Sequence, residues 1–485
     1  MPHRPTASTW LTGAAIWLVA VVVLLRAVSP STIRYDYQRA FYAAGTAVLE
    51  HQSLYASALH QLETKASSPS LSPYERAHTY IPYLYPPPYA LFLAGLSAMP
   101  YEAAARVFYW INVAFLVLIA LLIGYALGSR RRWFLASALV FAALVGFTPI
   151  RSTLNLGQAD LVILVLATAG LAVSESLVVV PTSLKPWRSV VGGIFLGAAA
   201  VIKVYPGVIL VLMLLRRQYR LVASALATVA VLMAVGVAVL GPGSFIDYLH
   251  ASRLAAHPLV VAFPFAFGLM AFAYRALTAT PYATPLIALP PALVGGAVVA
   301  VAVVLAALGI RYILTHERID ARHLFLAVAG ALVFFPLLEP QHLALLMALL
   351  PGVVMVVLGG TDRMRKAGIP VAAAAIGASL ILAWISLWAG DRATVVLTVL
   401  IALAVGAAAI VLSRRGQWPI SLTWGSALIS AGFVLLGSPA LLQISGLWPV
   451  PLNRLDVLMG EAQLYALFVL IAGVLLVSLT KPRLR

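Results

Sequence analysis

Asp36, in "STIRYDYQRAFYAAG" (Ser31–Gly45), is the first acid of a 485-residue chain in which only 10% of residues are charged. Four further polar islands punctuate the apolar sequence: "YLYPPPYA" (Tyr83–Ala90), "NLGQAD" (Asn155–Asp160), "IKVYP" (Ile202–Pro206) and "FFPLLEPQHLALL" (Phe334–Leu346). A carboxylate at a membrane surface can act as general base toward a hydroxyl. Lys203 and His342, with an arginine beside them, can stabilise a departing phosphate. Lys203 stands between two apolar arms, where an ammonium is costly without a partner, and an anion at the outer membrane face would supply one. Read as a helix, "YDYQRAFYAAGTAV" puts Asp36, Ala40, Ala43, Ala44 and Ala47 near one face, flanked by Tyr35, Tyr37, Phe41 and Tyr42. That aromatic flank suits sugar stacking and equally a membrane-interface belt. Each island has a plainer reading: Asp36 as a helix N-cap, Pro86–Pro88 as a rigid turn, Gln158 as a cap or interhelical hydrogen bond, and Glu339 with His342 as a polar turn.

The elements that must position these groups are membrane helices. Hydrophobic residues make up 62% of the chain and its mean hydropathy is +1.00, against about half apolar and a quarter charged in a soluble domain. The net charge of +17 is spread between apolar runs rather than gathered on one patch, which speaks for membrane topology and against nucleic acid. No cysteine is present, so disulfides and thiolate metal sites are excluded. There is no D-x-D carboxylate pair and no nucleotide-binding glycine loop, so neither a metal nor another cofactor is expected.

Apolar runs predict spans near 10–29, 104–128, 133–150, 160–180, 189–203, 205–215, 221–240, 291–310, 323–338, 343–358, 369–389, 393–412, 419–440 and 462–480. The first reads as an uncleaved span, and the fifth and sixth as two arms of a broken hairpin around "KVYP". With the N-terminus cytoplasmic, 20 of the 32 basic residues fall on short inner segments, as the positive-inside rule expects. The C-terminus is then cytoplasmic too. One membrane domain, 1–485, is expected, with a first extracytoplasmic loop at 30–101 carrying Asp36 and a second at 241–290. "PPPYALFLAGLSAMP" (Pro86–Pro100) and "FPFAFGLMAFAYRAL" (Phe263–Leu277) read as interfacial segments, the latter ended by Arg275 in the headgroups.

"YDYQRAFYAAGTAVLEHQSLY", "YLYPPPYALFLAGLSAMP", "NLGQADLVILVLATAGL" and "GGIFLGAAAVIKVYPGVILVLMLLRRQYR" resemble, in order and spacing, the integral membrane glycosyltransferases of family 87, of the GT-C class. The likeness covers the first half of the chain; "FFPLLEPQH" lacks the serine-proline-tryptophan run often seen before the family's histidine, and the stretch from Phe263 lacks an "NQS"-like start. It implies an all-α polytopic membrane protein, a GT-C-like bundle of about 12 to 14 transmembrane helices whose long first extracytoplasmic loop contains interfacial helices. It also implies inverting transfer of a sugar, mannose foremost, from a polyprenyl-phosphate donor to a glycolipid or lipoglycan acceptor at a bacterial plasma membrane. By the same resemblance Asp36 is the catalytic base, Lys203 and His342 contact the donor phosphate, Tyr85 to Pro87 shape the pocket and Gln158 is a sugar ligand. The candidate substrate contacts are Tyr35, Arg39, Tyr85, Gln158 and Glu339. The alternatives are a polyprenyl-phosphate-arabinose-dependent arabinofuranosyltransferase and, from another class, a lipid or solute transporter, for which a midplane lysine in a broken helix would be natural.

Overall fold

The computed structural model describes residues 7–29, 36–67, 83–128, 132–263, 266–316, 318–358, 362–386, 391–415, 418–436, 438, 457 and 461–478. Among them the chain is helical, and strand pairing is limited to two isolated bridges, Val179 with Asp320 and Thr280 with Ala283. In a bilayer core only closed internal hydrogen bonding satisfies the backbone, which is why so apolar a sequence adopts helices.

The helices are, in order, α1 (Ala7–Ala27), α2 (Ala43–Leu49) preceded by a π-helical turn (Tyr37–Tyr42), α3 (Ala56–Ser67), α4 (Pro87–Ser97), α5 (Tyr101–Leu127), α6 (Trp133–Gly146), α7 (Thr148–Leu156) and α8 (Asp160–Val173). There follow α9 (Pro186–Ile202), α10 (Gly207–Leu215), α11 (Tyr219–Leu240), α12 (Gly243–Ala255), α13 (Pro258–Val261), α14 (Leu269–Leu277), α15 (Pro291–Thr315) and α16 (Ala321–Val333). A 3-10 turn (Pro340–Leu345) leads into α17 (Leu346–Leu358), and α18 (Asp362–Ile385), α19 (Asp391–Arg415), α20 (Ile420–Leu436) and α21 (Ala462–Ser478) complete the described helices. Each of the fourteen apolar runs falls on this series. Among the described residues five helices are long and apolar enough to cross a membrane, or six if the bent pair α6 and α7 counts as one span. Seven shorter apolar helices of 10–17 residues accompany them among those residues, which makes the chain an all-α polytopic membrane protein; segments such as α8 and α16 stop short of about 20 residues.

Two breaks matter for the site. The run 133–150 is not straight: α6 and α7 meet at 67°, with Phe147 extended and Pro149 in the first turn of α7, where a missing N–H is tolerated. The "KVYP" break forms as expected. Lys203 is extended (φ −141°, ψ 142°) after the last turn of α9, and Pro206 precedes α10. Small residues bring α9 onto its neighbours; a Cβ on Gly193 would lie 2.3 Å from the Leu221 carbonyl oxygen of α11, the close backbone approach typical of membrane helices.

The segment around Arg275 departs from expectation. Among its described residues Leu269–Leu277 is helical, and Ala271, Ala273, Tyr274, Arg275 and Ala276 are buried in protein. Arg275 does not reach toward headgroups. It pairs with Glu461 and donates to the carbonyls of Ala262, Phe263 and Ala266; five N–H donors buried this deeply require such acceptors.

Candidate functional site

Asp36 has helical backbone angles at the start of the π turn, yet its side chain makes no capping bond. The N-cap reading therefore fails; its Oδ2 instead accepts from Gln158 Nε2 at 2.5 Å. In the wider turn Ala43 N–H reaches the Gln38 carbonyl, the i to i−5 pattern of a π-helix, a form common at functional sites. Tyr37 and Phe41 point inward and are fully buried. Tyr37 stacks on Phe108 (4.7 Å between centroids) and Phe41 meets Tyr85 edge-on at 5.0 Å. Packing consumes these two rings, so they offer no stacking face to a sugar. Arg39 is exposed on the same turn. Tyr35 lies outside the described residues.

Gln158 is placed by the end of α7. Gly157 takes the left-handed conformation (φ 69°), which glycine adopts freely, and Gln158 N–H then bonds back to the Thr153 carbonyl at 2.9 Å. Tyr85 Oη donates to Gln158 Oε1 at 2.6 Å, leaving the amide nitrogen facing Asp36. Tyr85 is held in turn: its carbonyl accepts from the Tyr55 hydroxyl at 2.5 Å, and Tyr83 Oη bonds the Pro86 carbonyl at 3.0 Å. Three stretches far apart in sequence thus form one chain, Tyr85 to Gln158 to Asp36.

The ammonium of Lys203 bonds both oxygens of Asp160, at 3.1 and 3.0 Å, and sits 4.8 Å from the centroid of the Tyr85 ring. Its side chain is 12% exposed and that of Asp160 fully buried. Tyr205 Oη also donates to Asp160, at 2.8 Å. The partner of Lys203 is therefore supplied from within the chain. Sequence reading quoted Asp160 but gave it no role, and missed Tyr205; the available signal was that an acid opening an apolar run is as costly alone as a lysine ending one. Two of the three ammonium donors face Asp160, leaving one N–H for another acceptor.

His342 closes the site from the 3-10 turn. Its ring lies edge-on to Tyr205 (5.8 Å) and Phe335 (5.5 Å). Nδ1 accepts from the Glu339 N–H at 3.0 Å, so the neutral ring carries its proton on Nε2. The Glu339 carboxylate accepts from the Gln341 amide.

Burial raises the Asp36 carboxyl to about 6, with the Asp160 charge adding to it and the Gln158 bond and Lys203 opposing. Burial, then the Asp36 charge, raises Glu339 to about 7 against Lys203 and the Gln341 bond. Both carboxyls therefore hold their protons to higher pH than free carboxyls do. No group of three or more His, Asp or Glu side chains is arranged to hold a metal among the described residues. The arrangement can accept a proton at Asp36 and present N–H donors from Lys203 and His342.

No curated protein and no solved structure matches the chain. A family model, Glycosyltransferase family 87, matches residues 83–340. That range takes in Tyr85, Gln158, Asp160, Lys203 and Glu339; His342 lies two residues past its end, and Asp36 lies 47 residues before its start. Since the match spans more than half the sequence, this chain belongs to glycosyltransferase family 87 and is a membrane glycosyltransferase.

Proposed function

We propose that this glycosyltransferase moves a sugar, mannose in the first instance, from a polyprenyl-phosphate donor to a glycolipid or lipid-anchored glycan at the extracytoplasmic face of a bacterial plasma membrane. The observation that carries the reading is the convergence of a carboxylate raised to about 6 with Lys203 and His342 around the Tyr85–Gln158 bond. The acceptor hydroxyl attacks the anomeric carbon opposite the phosphate. Its proton passes to Asp36 Oδ1 or Oδ2, the bond from carbon to phosphate oxygen breaks, and the electron pair leaves with the phosphate. A β-linked donor then yields an α-linked product by a single displacement. Lys203 contributes its remaining N–H and His342 its Nε2–H to the departing oxygens, stabilising charge where it develops. Because Asp160 already neutralises much of the ammonium charge, hydrogen bonding rather than net positive charge is the main contribution of Lys203 here.

The lipid nature of the donor is supported by the membrane setting of the chain. An open apolar groove of about 280 Å³ on the exposed face of α15 is lined by Met270, Val298, Val299, Ala302, Val303, Ala306 and Phe334. Such an apolar face suits an isoprenoid tail. The basic residues on alternate turns support cytoplasmic termini and an extracytoplasmic site.

The test is sugar transfer by membranes containing the wild-type chain or Asp36→Asn, supplied with polyprenyl-phosphate-mannose and then polyprenyl-phosphate-arabinose. Transfer from the mannose donor that disappears in the variant supports the proposal. Transfer from the arabinose donor alone makes the chain an arabinofuranosyltransferase, and undiminished transfer by Asp36→Asn removes Asp36 from the chemistry.

A further inference from the structure

Arg275 and Glu461, 186 residues apart, form a buried pair whose side chains are 2% and 4% exposed. Nε of Arg275 meets Glu461 Oε1 at 3.0 Å. The rest of the guanidinium gathers one stretch of backbone: Nη1 bonds the carbonyls of Ala262 (3.3 Å) and Phe263 (2.8 Å), and Nη2 that of Ala266 (2.7 Å). The next residue, Phe267, donates its N–H to the Leu338 carbonyl at 2.8 Å, immediately before Glu339. Gly268 is pressed on the same turn; a Cβ there would stand 2.7 Å from the Phe335 carbonyl oxygen and 3.2 Å from Leu338 Cβ. Phe335 and Leu338 bracket the turn that delivers Glu339 and His342, and the Phe335 ring lies against both His342 and Tyr205.

We infer that Arg275, anchored by Glu461, is a positioning residue for transfer: it fixes the backbone at Ala262, Phe263 and Ala266, and through Phe267 and Gly268 this holds the Leu338–His342 turn against Tyr205. A buried charge pair is a poor source of net stability compared with apolar packing, and one arginine with three carbonyls and one acid fixes geometry instead. Lysine cannot replace it, since a single ammonium cannot span those acceptors. The inference rests on the assignment of His342 and Glu339 to the site.

Two measurements on the full-length protein in detergent or membranes test it. Hydrogen exchange, which needs no substrate, should quicken by about tenfold or more across 334–343 in Arg275→Lys, while the α20–α21 contact stays protected. Transfer from polyprenyl-phosphate-mannose, or from the arabinose donor if that is the one used, should fall about 10- to 100-fold per folded molecule in Arg275→Lys. In the His342→Ala background the same change should have almost no further effect, the coupling expected of a residue that acts through another. Glu461→Gln, which keeps an acceptor for the guanidinium, should retain most activity where Glu461→Ala loses it, and it serves if Arg275→Lys does not fold. Unchanged exchange at 334–343, or losses that multiply independently with His342→Ala, would overturn the positioning role. No effect of His342→Ala alone, or no transfer by the wild type from either donor, overturns the site assignment and this role with it.

Discussion

Gln158 donates to the carboxylate of Asp36 at 2.5 Å across 122 residues of sequence. The bond joins the first polar island of the chain to the end of a bent helix, and the Tyr85 hydroxyl fixes which end of the amide faces the acid. Asp36→Asn should therefore leave this contact and the fold in place while removing the base. We expect transfer to fall about 10²- to 10⁴-fold, measured as initial rates at equal amounts of folded protein, and a loss below tenfold would argue against proton transfer to Asp36.

The pH profile gives an independent check. A base works in its ionised form, and burial has raised Asp36 to about 6. Activity should accordingly decline as pH falls through about 6, approaching a tenfold loss per unit below it. The Gln158 bond lowers this pKa, so Gln158→Leu should move the acid limb to higher pH. A limb that stays in place would mean that another group is titrating.

Tyr85→Phe removes the hydroxyl that bonds Gln158 but keeps the ring beneath Lys203. One neutral hydrogen bond is involved, worth about 0.5 to 1.5 kcal/mol. The rate should fall by roughly 2- to 12-fold, far less than for Asp36→Asn. Equal losses in the two variants would show that the ring itself had moved.

The ion pair of Lys203 with Asp160 should reveal itself through stability. Lys203→Met leaves the buried Asp160 carboxylate without its counter-charge, and removing one partner of a buried pair costs about 3 to 5 kcal/mol. Thermal unfolding in detergent should show that loss, and adding Asp160→Asn should recover most of it without restoring transfer. A double variant no more stable than the single one would contradict the pairing.

Gly45 lies where α2 crosses α4. A Cβ there would stand 2.2 Å from Ser97 Oγ and 2.7 Å from the Leu93 carbonyl oxygen, and backbone cannot yield as a side chain does. Gly45→Ala should cost about 1 to 3 kcal/mol and lower transfer as well, since α2 continues directly from the turn that carries Asp36. A melting temperature matching the wild type would place the two helices farther apart.

Membrane helices were legible because about 20 apolar residues in a row have few other uses. The break at "KVYP" was legible for a related reason: Pro206 and a charged residue interrupt an apolar run together. Of the site, Asp36, Tyr85, Gln158, Lys203, Glu339 and His342 were all visible as rare polar residues. Their wiring was not. Lys203 finds Asp160 43 residues away and Arg275 finds Glu461 186 away, and nothing in local pattern encodes such pairings. Arg275 at the end of an aromatic stretch has the same local signature as a headgroup anchor, and only its distant acid tells the two apart. Tyr37 and Phe41 misled for a different reason: with a wider helical turn, regular spacing no longer reports which way a ring points.

That wider turn makes the aim of the rings beside Asp36 adjustable by a single codon. The π segment Tyr37–Tyr42 holds one more residue than a regular helix would need to join the same ends. Deleting a residue there would restore ordinary winding between the same ends, leaving Asp36 in register with Gln158 and changing the bearings of the rings within the turn. The surplus residue thus works as a spacer for Tyr37 and Phe41, and its loss would disturb the packing behind Asp36 rather than the bond to Gln158.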